Sequence, residues 1–186
     1  MCTRLFLPLL LSLLWTGGAR AQSPSDGGVE NGVYVNSFFH VSYVWPDILR
    51  PVDSAFFKLQ SVTSNKGEFL LFMAREGDEP FGVLLLAQKP NAVTKMPAGP
   101  YPSQDFLEHV KKEWDPVEKP KILAETHVTT SDALTFYELD YLVSDKYSSA
   151  IVTQIGDYLL VFKCNARSAQ DLAKMTLSAL ALQVQK

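Results

Sequence analysis

YSSAIVTQIGDYLLVFKCN, residues Tyr147–Asn165, decides the fold class. Two apolar, β-branched runs flank Gly156-Asp157, a dipeptide suited to a two-residue hairpin turn. Ile151, Thr153 and Ile155 alternate with Ala150 and Val152, so both faces of the strand carry groups that need covering. Upstream, Lys121–Thr129 and Ala133–Val143 read as two more strands, with Ser131-Asp132 and Asp145-Lys146 as turn signals. Links this short exclude parallel crossovers, so the four segments form an antiparallel meander.

On the C-terminal side, Ser168 followed three residues later by Asp171 resembles a capping box with Asp in place of Glu. It opens a terminal helix whose apolar stripe is Leu172, Met175, Ala179 and Leu182 or Leu180. On the N-terminal side, Ser103 is a candidate N-cap after Pro102, and Asp105 adds favourable charge to the first turn. Phe106, Val110 and Trp114 recur at helical spacing beside Leu107, and Glu108 and Lys112 are spaced to pair. Asp115-Pro116 ends that helix. The four prolines of Lys89–Pro102 make it a loop and, with Tyr101, a candidate contact surface. Further back, Glu68–Ala74 and Gly82–Gln88 are near-continuous apolar runs that suit doubly buried strands, Ala55–Val62 is a shorter one, and Val35–Val44 reads as an aromatic strand stopped by Pro46 and Pro51. The expected class is α+β: an antiparallel β-sheet with helices packed on its faces.

The N-terminus has the three parts of a secretory signal. Arg4 supplies a short positive region, Leu5 to Trp15 an uncharged apolar run of 11 residues, and Ala19-Arg20-Ala21 a small-x-small site before Gln22. The run is too short to span a bilayer, which needs about 20 apolar residues. Residues 1–21 are therefore expected to be cleaved between Ala21 and Gln22, with 22–32 (Gly/Ser/Asp-rich) a flexible leader and 33–186 one domain. Loss of Arg4 and Arg20 leaves 15 basic against 20 acidic residues, a net charge of −5. No basic stripe suggests nucleic acid, and no later stretch is long and apolar enough to cross a membrane. Of the two cysteines Cys2 leaves with the signal, so Cys164 has no intramolecular partner and the fold must rest on its core.

The opening Tyr34-x-Asn36-x-x-Phe39-x-x-Ser42-Tyr43 with Pro46, and the close Gly156-x-Tyr158 leading a strand into a terminal helix, resemble PsbP-like domains. The resemblance implies an α/β/α sandwich. This chain departs from the pattern in one place: Trp45 precedes the proline and Ile48-Leu49 follow it, where such domains usually put a Trp shortly after the proline. It also implies a role as a binding or assembly partner and not as an enzyme. A nuclear Ran-binding relative shares the fold, but its role cannot apply to an exported chain.

Chemistry is sparse. There is no G-x-S-x-G, H-E-x-x-H, C-x-x-C, P-loop or dinucleotide fingerprint, so no cofactor is expected. Cys164 in an aromatic strand reads as packing, His40 as a core or rim histidine, and His109 as solvated. One cluster stands out. A turn at Ser131-Asp132 sets Glu125 opposite Glu138, His127 opposite Phe136 and Leu123 opposite Asp140. Glu125, His127, Glu138 and Asp140 then share one face. Opposed carboxylates need compensation, from a bound cation or from a raised carboxyl pKa able to do acid–base work. A face turned to water needs neither, and a one-residue slip would set His127 opposite Thr135 and disperse the group. The expected function is a non-catalytic binding or assembly module, periplasmic or secreted, for a protein or small ligand; the alternative is an enzyme, such as a hydrolase, or a metal-binding protein using the Glu/Asp/His face.

Overall fold

A computed structural model describes residues 23–53, 67–90, 103–112, 114, 119–131 and 133–185. The signal segment with Ala21 and Gln22, the strand expected over 55–62, nearly all of the proline-rich loop and the Asp115-Pro116 stop lie outside them. The chain forms β1 (Gly27–Glu30), β2 (Val33–Asn36), β3 (Val41–Tyr43), β4 (Arg50–Pro51), β5 (Glu68–Arg75) and β6 (Gly82–Gln88). Helix α1 (Ser103–Lys112) follows, then β7 (Lys121–Ser131), β8 (Leu134–Val143), β9 (Lys146–Ile155), β10 (Tyr158–Ala166), α2 (Ala169–Leu180) and β11 (Gln183–Val184).

The meander is present and antiparallel, in a seven-stranded sheet of order β4-β5-β6-β10-β9-β8-β7. A second sheet has the order β1-β2-β3-β11. The α+β class is thus observed. Both faces of the large sheet are covered, as the doubled apolar pattern requires. On one face Phe136, Ile151, Phe162 and Leu85 join the small sheet and α2 in one core. On the other, Leu139, Val152, Val161 and Leu86 pack with Phe106 and Leu107 of α1. Ser168 caps α2: its Oγ accepts from the Asp171 amide at 3.1 Å and donates to the Asp171 carboxylate at 2.7 Å. Leu172, Met175, Ala179 and Leu182 are the buried stripe.

Three expectations need correction. Val35–Val44 is two strands, reversed over Ser37–His40, and His40 is exposed with φ 53°. The leader is not wholly free, since β1 pairs with β2 (Gly27↔Asn36 through Glu30↔Val33). Backbone bonds and one buried amide do this work, which apolar periodicity cannot reveal. The Nδ2 of fully buried Asn36 donates to the Pro24 carbonyl and the Tyr34 hydroxyl, both at 2.9 Å, and its Oδ1 accepts from the Phe39 amide at 3.1 Å. A side chain at Gly27 would run into the Tyr34 ring.

The third correction concerns turns. Gly156-Asp157 closes β9–β10 as expected, with Ile155 opposite Tyr158. The β8–β9 turn is Ser144-Asp145, one residue earlier than read, because Val143 pairs with Lys146. Both turn residues have positive φ, 47° and 59°, the backbone that matches the strands' twist but strains a side chain. Asp145→Gly should raise the unfolding free energy by about 1 kcal/mol in a urea titration. Equal or lower stability would show that Asp145 makes an interaction that offsets its strain.

Candidate functional site

Strands β7 and β8 carry the four residues singled out above. Ser131 pairs with Leu134, so the turn sits one residue later than read and the register near it slips by two. A two-residue slip keeps every side chain on its face. His127, not Glu125, therefore stands opposite Glu138. Two irregularities in β7, between Ile122 and Ala124 and between Ala124 and His127, then bring Ala124, not Leu123, opposite Asp140.

Glu138 is the centre of the group and only 5% exposed. The half-exposed His127 sets its Nε2 3.1 Å from Glu138 Oε2 and its Nδ1 3.3 Å from the Glu125 carbonyl. With Nδ1–H donated to that carbonyl, one proton lies between imidazole and carboxylate. Ser149 Oγ, from β9, donates to Glu138 Oε1 over a long 3.5 Å. Asp140 lies on the same face two residues along, and its Oδ1 is buried without a hydrogen-bond partner. Burial first, then the Asp140 charge, raises the Glu138 pKa; His127 and Ser149 pull it back only in part. Cys164 lies opposite Ser149, and burial pushes its thiol far up, with Glu138 and Asp140 adding to the effect. A thiol held protonated is a poor nucleophile.

Glu125 leaves the group. Its side chain is exposed and accepts from Lys111 Nζ at 3.0 Å, and Lys111 also meets Glu108 at 2.8 Å. The α1 pair is thus Glu108–Lys111, in place of Glu108–Lys112, and it ties α1 to β7. Among the described residues no three His, Cys, Asp or Glu side chains come together in a way that could hold a metal ion. The arrangement can hold a proton on a buried carboxylate.

A concave surface lies beside β1. A cleft of about 340 Å³ separates β1 from the chain just after β4, lined by Gly28, Val29, Tyr34, Val52, Leu71 and Phe72 among others. Its floor is aromatic and its walls are the margins of two sheets. The Val52 amide donates to the Met73 carbonyl at 2.9 Å, while β1 has no partner strand on its outer side among the described residues. Reading 22–32 as a leader hid this cleft. Gly27 was the signal, since a glycine there lets the backbone lie close against the Tyr34 ring.

The fold is PsbP-like. It matches the solution structure of cyanobacterial PsbP (CyanoP) from Synechocystis sp. PCC 6803 with a TM-score of 0.57 and 16% identity, over 85% of this chain and 96% of that one. No family model and no curated protein matches the sequence. Among the described residues no helix is long and apolar enough to cross a membrane.

The raised Glu138 pKa fixes a sign. The folded state holds this proton more tightly than the unfolded chain, so its stabilising effect is complete below the ordinary value of 4.5 and is lost as pH rises through the folded pKa. Glu138→Gln, which removes the buried charge, should raise Tm by about 2–4 °C at pH 8. The gain should vanish below pH 4.5. Thermal unfolding of both proteins across that range checks it, and a difference that does not vary with pH would remove the buried charge as the cause.

Proposed function

We propose that the chain is an exported, non-catalytic binding or assembly module, acting in the periplasm or outside the cell on a protein segment or small ligand. The observation that carries this reading is the cleft beside β1. An apolar cleft beside a strand whose outer side is unpaired among the described residues suits an extended segment that adds backbone hydrogen bonds to β1 and sets an apolar side chain against the exposed Val29 and half-buried Val52. Its volume falls within the range of small-ligand sites.

The Glu138 face supports the same reading from the other side. A hydrolase using His127, Glu138 and Asp140 would need its carboxyls within reach of substrate, whereas Glu138 is only 5% exposed and Asp140 Oδ1 is buried. Those residues instead serve the sheet: a buried carboxyl, a histidine covering it and a serine hydroxyl beneath. Export rests on the Arg4, Leu5–Trp15 and Ala19-Arg20-Ala21 pattern.

Two measurements test the proposal. N-terminal sequencing of the protein from the exported fraction should begin at Gln22; retention in the cytoplasm with Met1 intact would overturn the localisation. Affinity capture with the mature protein should retain one stoichiometric partner, and Val29→Trp, which fills the cleft from a half-exposed position, should lower that retention at least about tenfold. Unchanged capture by a folded Val29→Trp protein would remove the cleft as the binding surface.

A further inference from the structure

On the face of the large sheet that α1 covers in part, one cross-strand row runs Arg50, Arg75, Gly82, Asn165. Arg50 and Arg75 are directly opposed on β4 and β5, an arrangement that like charges disfavour. The chain as a whole is acidic, with 20 Asp and Glu against 17 Lys and Arg, so the pairing does not reflect a basic background. Two carboxylates of the β5–β6 hairpin, Glu76 and Glu79, are engaged by Arg167 at 3.6 and 3.3 Å. Arg75 Nε is buried and has no hydrogen-bond partner. An unpaired buried donor of this kind is costly, the more so when charged.

Gly82 shapes the place. Its φ is 155°, and a Cβ there would collide with the Ala74 carbonyl, so the row must keep a gap between Arg75 and Asn165. The gap belongs to a hollow of about 170 Å³ lined by Arg75, Lys163 and Asn165 together with Met73, Phe81 and Leu84. Lys163 is exposed, and neither it nor Arg75 forms an ion pair with a carboxylate among the described residues. Asn165 Oδ1 accepts from Ser148 Oγ at 2.9 Å, which leaves its Nδ2 as a donor.

We propose that this hollow is an anion site for a small organic oxyanion: one phosphate- or carboxylate-type group bonded by Arg75, Lys163 and Asn165, carried on a short apolar body against Met73, Phe81 and Leu84. A guanidinium beside an ammonium supplies charge-assisted donors, and the apolar wall excludes water from them. The site is independent of the β1 cleft, and of what that cleft binds.

The test uses phenyl phosphate and inorganic phosphate as probes on the folded mature protein, followed by amide NMR and by Tm. Phenyl phosphate should shift the Gly82, Lys163 and Asn165 resonances saturably and raise Tm. Lys163→Gln and Arg75→Gln should each weaken it about tenfold, the loss of one charge-assisted bond. No saturable shift, or binding unchanged in both variants, would overturn the site. Inorganic phosphate binding as tightly as phenyl phosphate would overturn the apolar part of the assignment. If Arg75→Gln does not fold, Lys163→Gln at its exposed position decides alone.

Discussion

Phe72 is the residue on which the two sheets depend. Its ring meets Tyr34 at 5.3 Å, Tyr43 at 5.6 Å and Trp45 at 5.0 Å between centroids, and Tyr43 continues to Phe162 at 5.2 Å. Tilted and edge-on pairs of this kind each add about 0.5–1.5 kcal/mol beyond the area they bury. The cost is two phenol oxygens taken out of water. Asn36 donates to the Tyr34 hydroxyl, and Ser178 on α2 donates to that of Tyr43. Burial raises the Tyr34 pKa to about 12, so the phenol stays neutral while the domain is folded. The same amide that satisfies Tyr34 also holds Pro24. The aromatic cluster thus settles where β1 lies, and with it the cleft.

What was legible in the sequence follows from range. The β9–β10 hairpin, the Ser168 cap and the alternation of large apolar groups in the meander are decided within a few residues, and those features appear where their local chemistry places them. Ser144-Asp145 was harder because neither residue is Gly or Asn. Its left-handed backbone is imposed by the pairing of β8 with β9, and local preference would not choose it. Strand β1 was not legible at all. Four residues, two of them glycine, acquire their structure from β2 and from an asparagine nine residues further on.

The candidate cluster was half legible for a reason particular to strands. A side-chain period of two means that a two-residue error in register preserves faces while changing partners. Glu138, Asp140 and His127 stayed together for that reason, with His127 taking the place assigned to Glu125. The irregularities in β7 then carried Glu125 toward Lys111. The opposed carboxylates that had called for a cation are absent, and a histidine meets the buried carboxyl instead.

The two margins of the large sheet are built differently, and this bears on where a partner would bind. Strand β7 is 11 residues long, carries exposed Leu123 and Val128, and would pair readily with another chain if it were flat. Its two irregularities twist it away from that use. Among the described residues the opposite margin is β4, two residues whose side chains face opposite ways: Pro51 lines the cleft, while Arg50 heads the cationic row. Proline cannot donate to an incoming strand, so β4 itself is closed to sheet extension. The two proposed binding places flank β4: the side of β1 that is unpaired among the described residues on one face, and the Arg75–Lys163 hollow on the other. A ligand that engaged both would have to wrap the margin, so occupants of the two places should bind without competing.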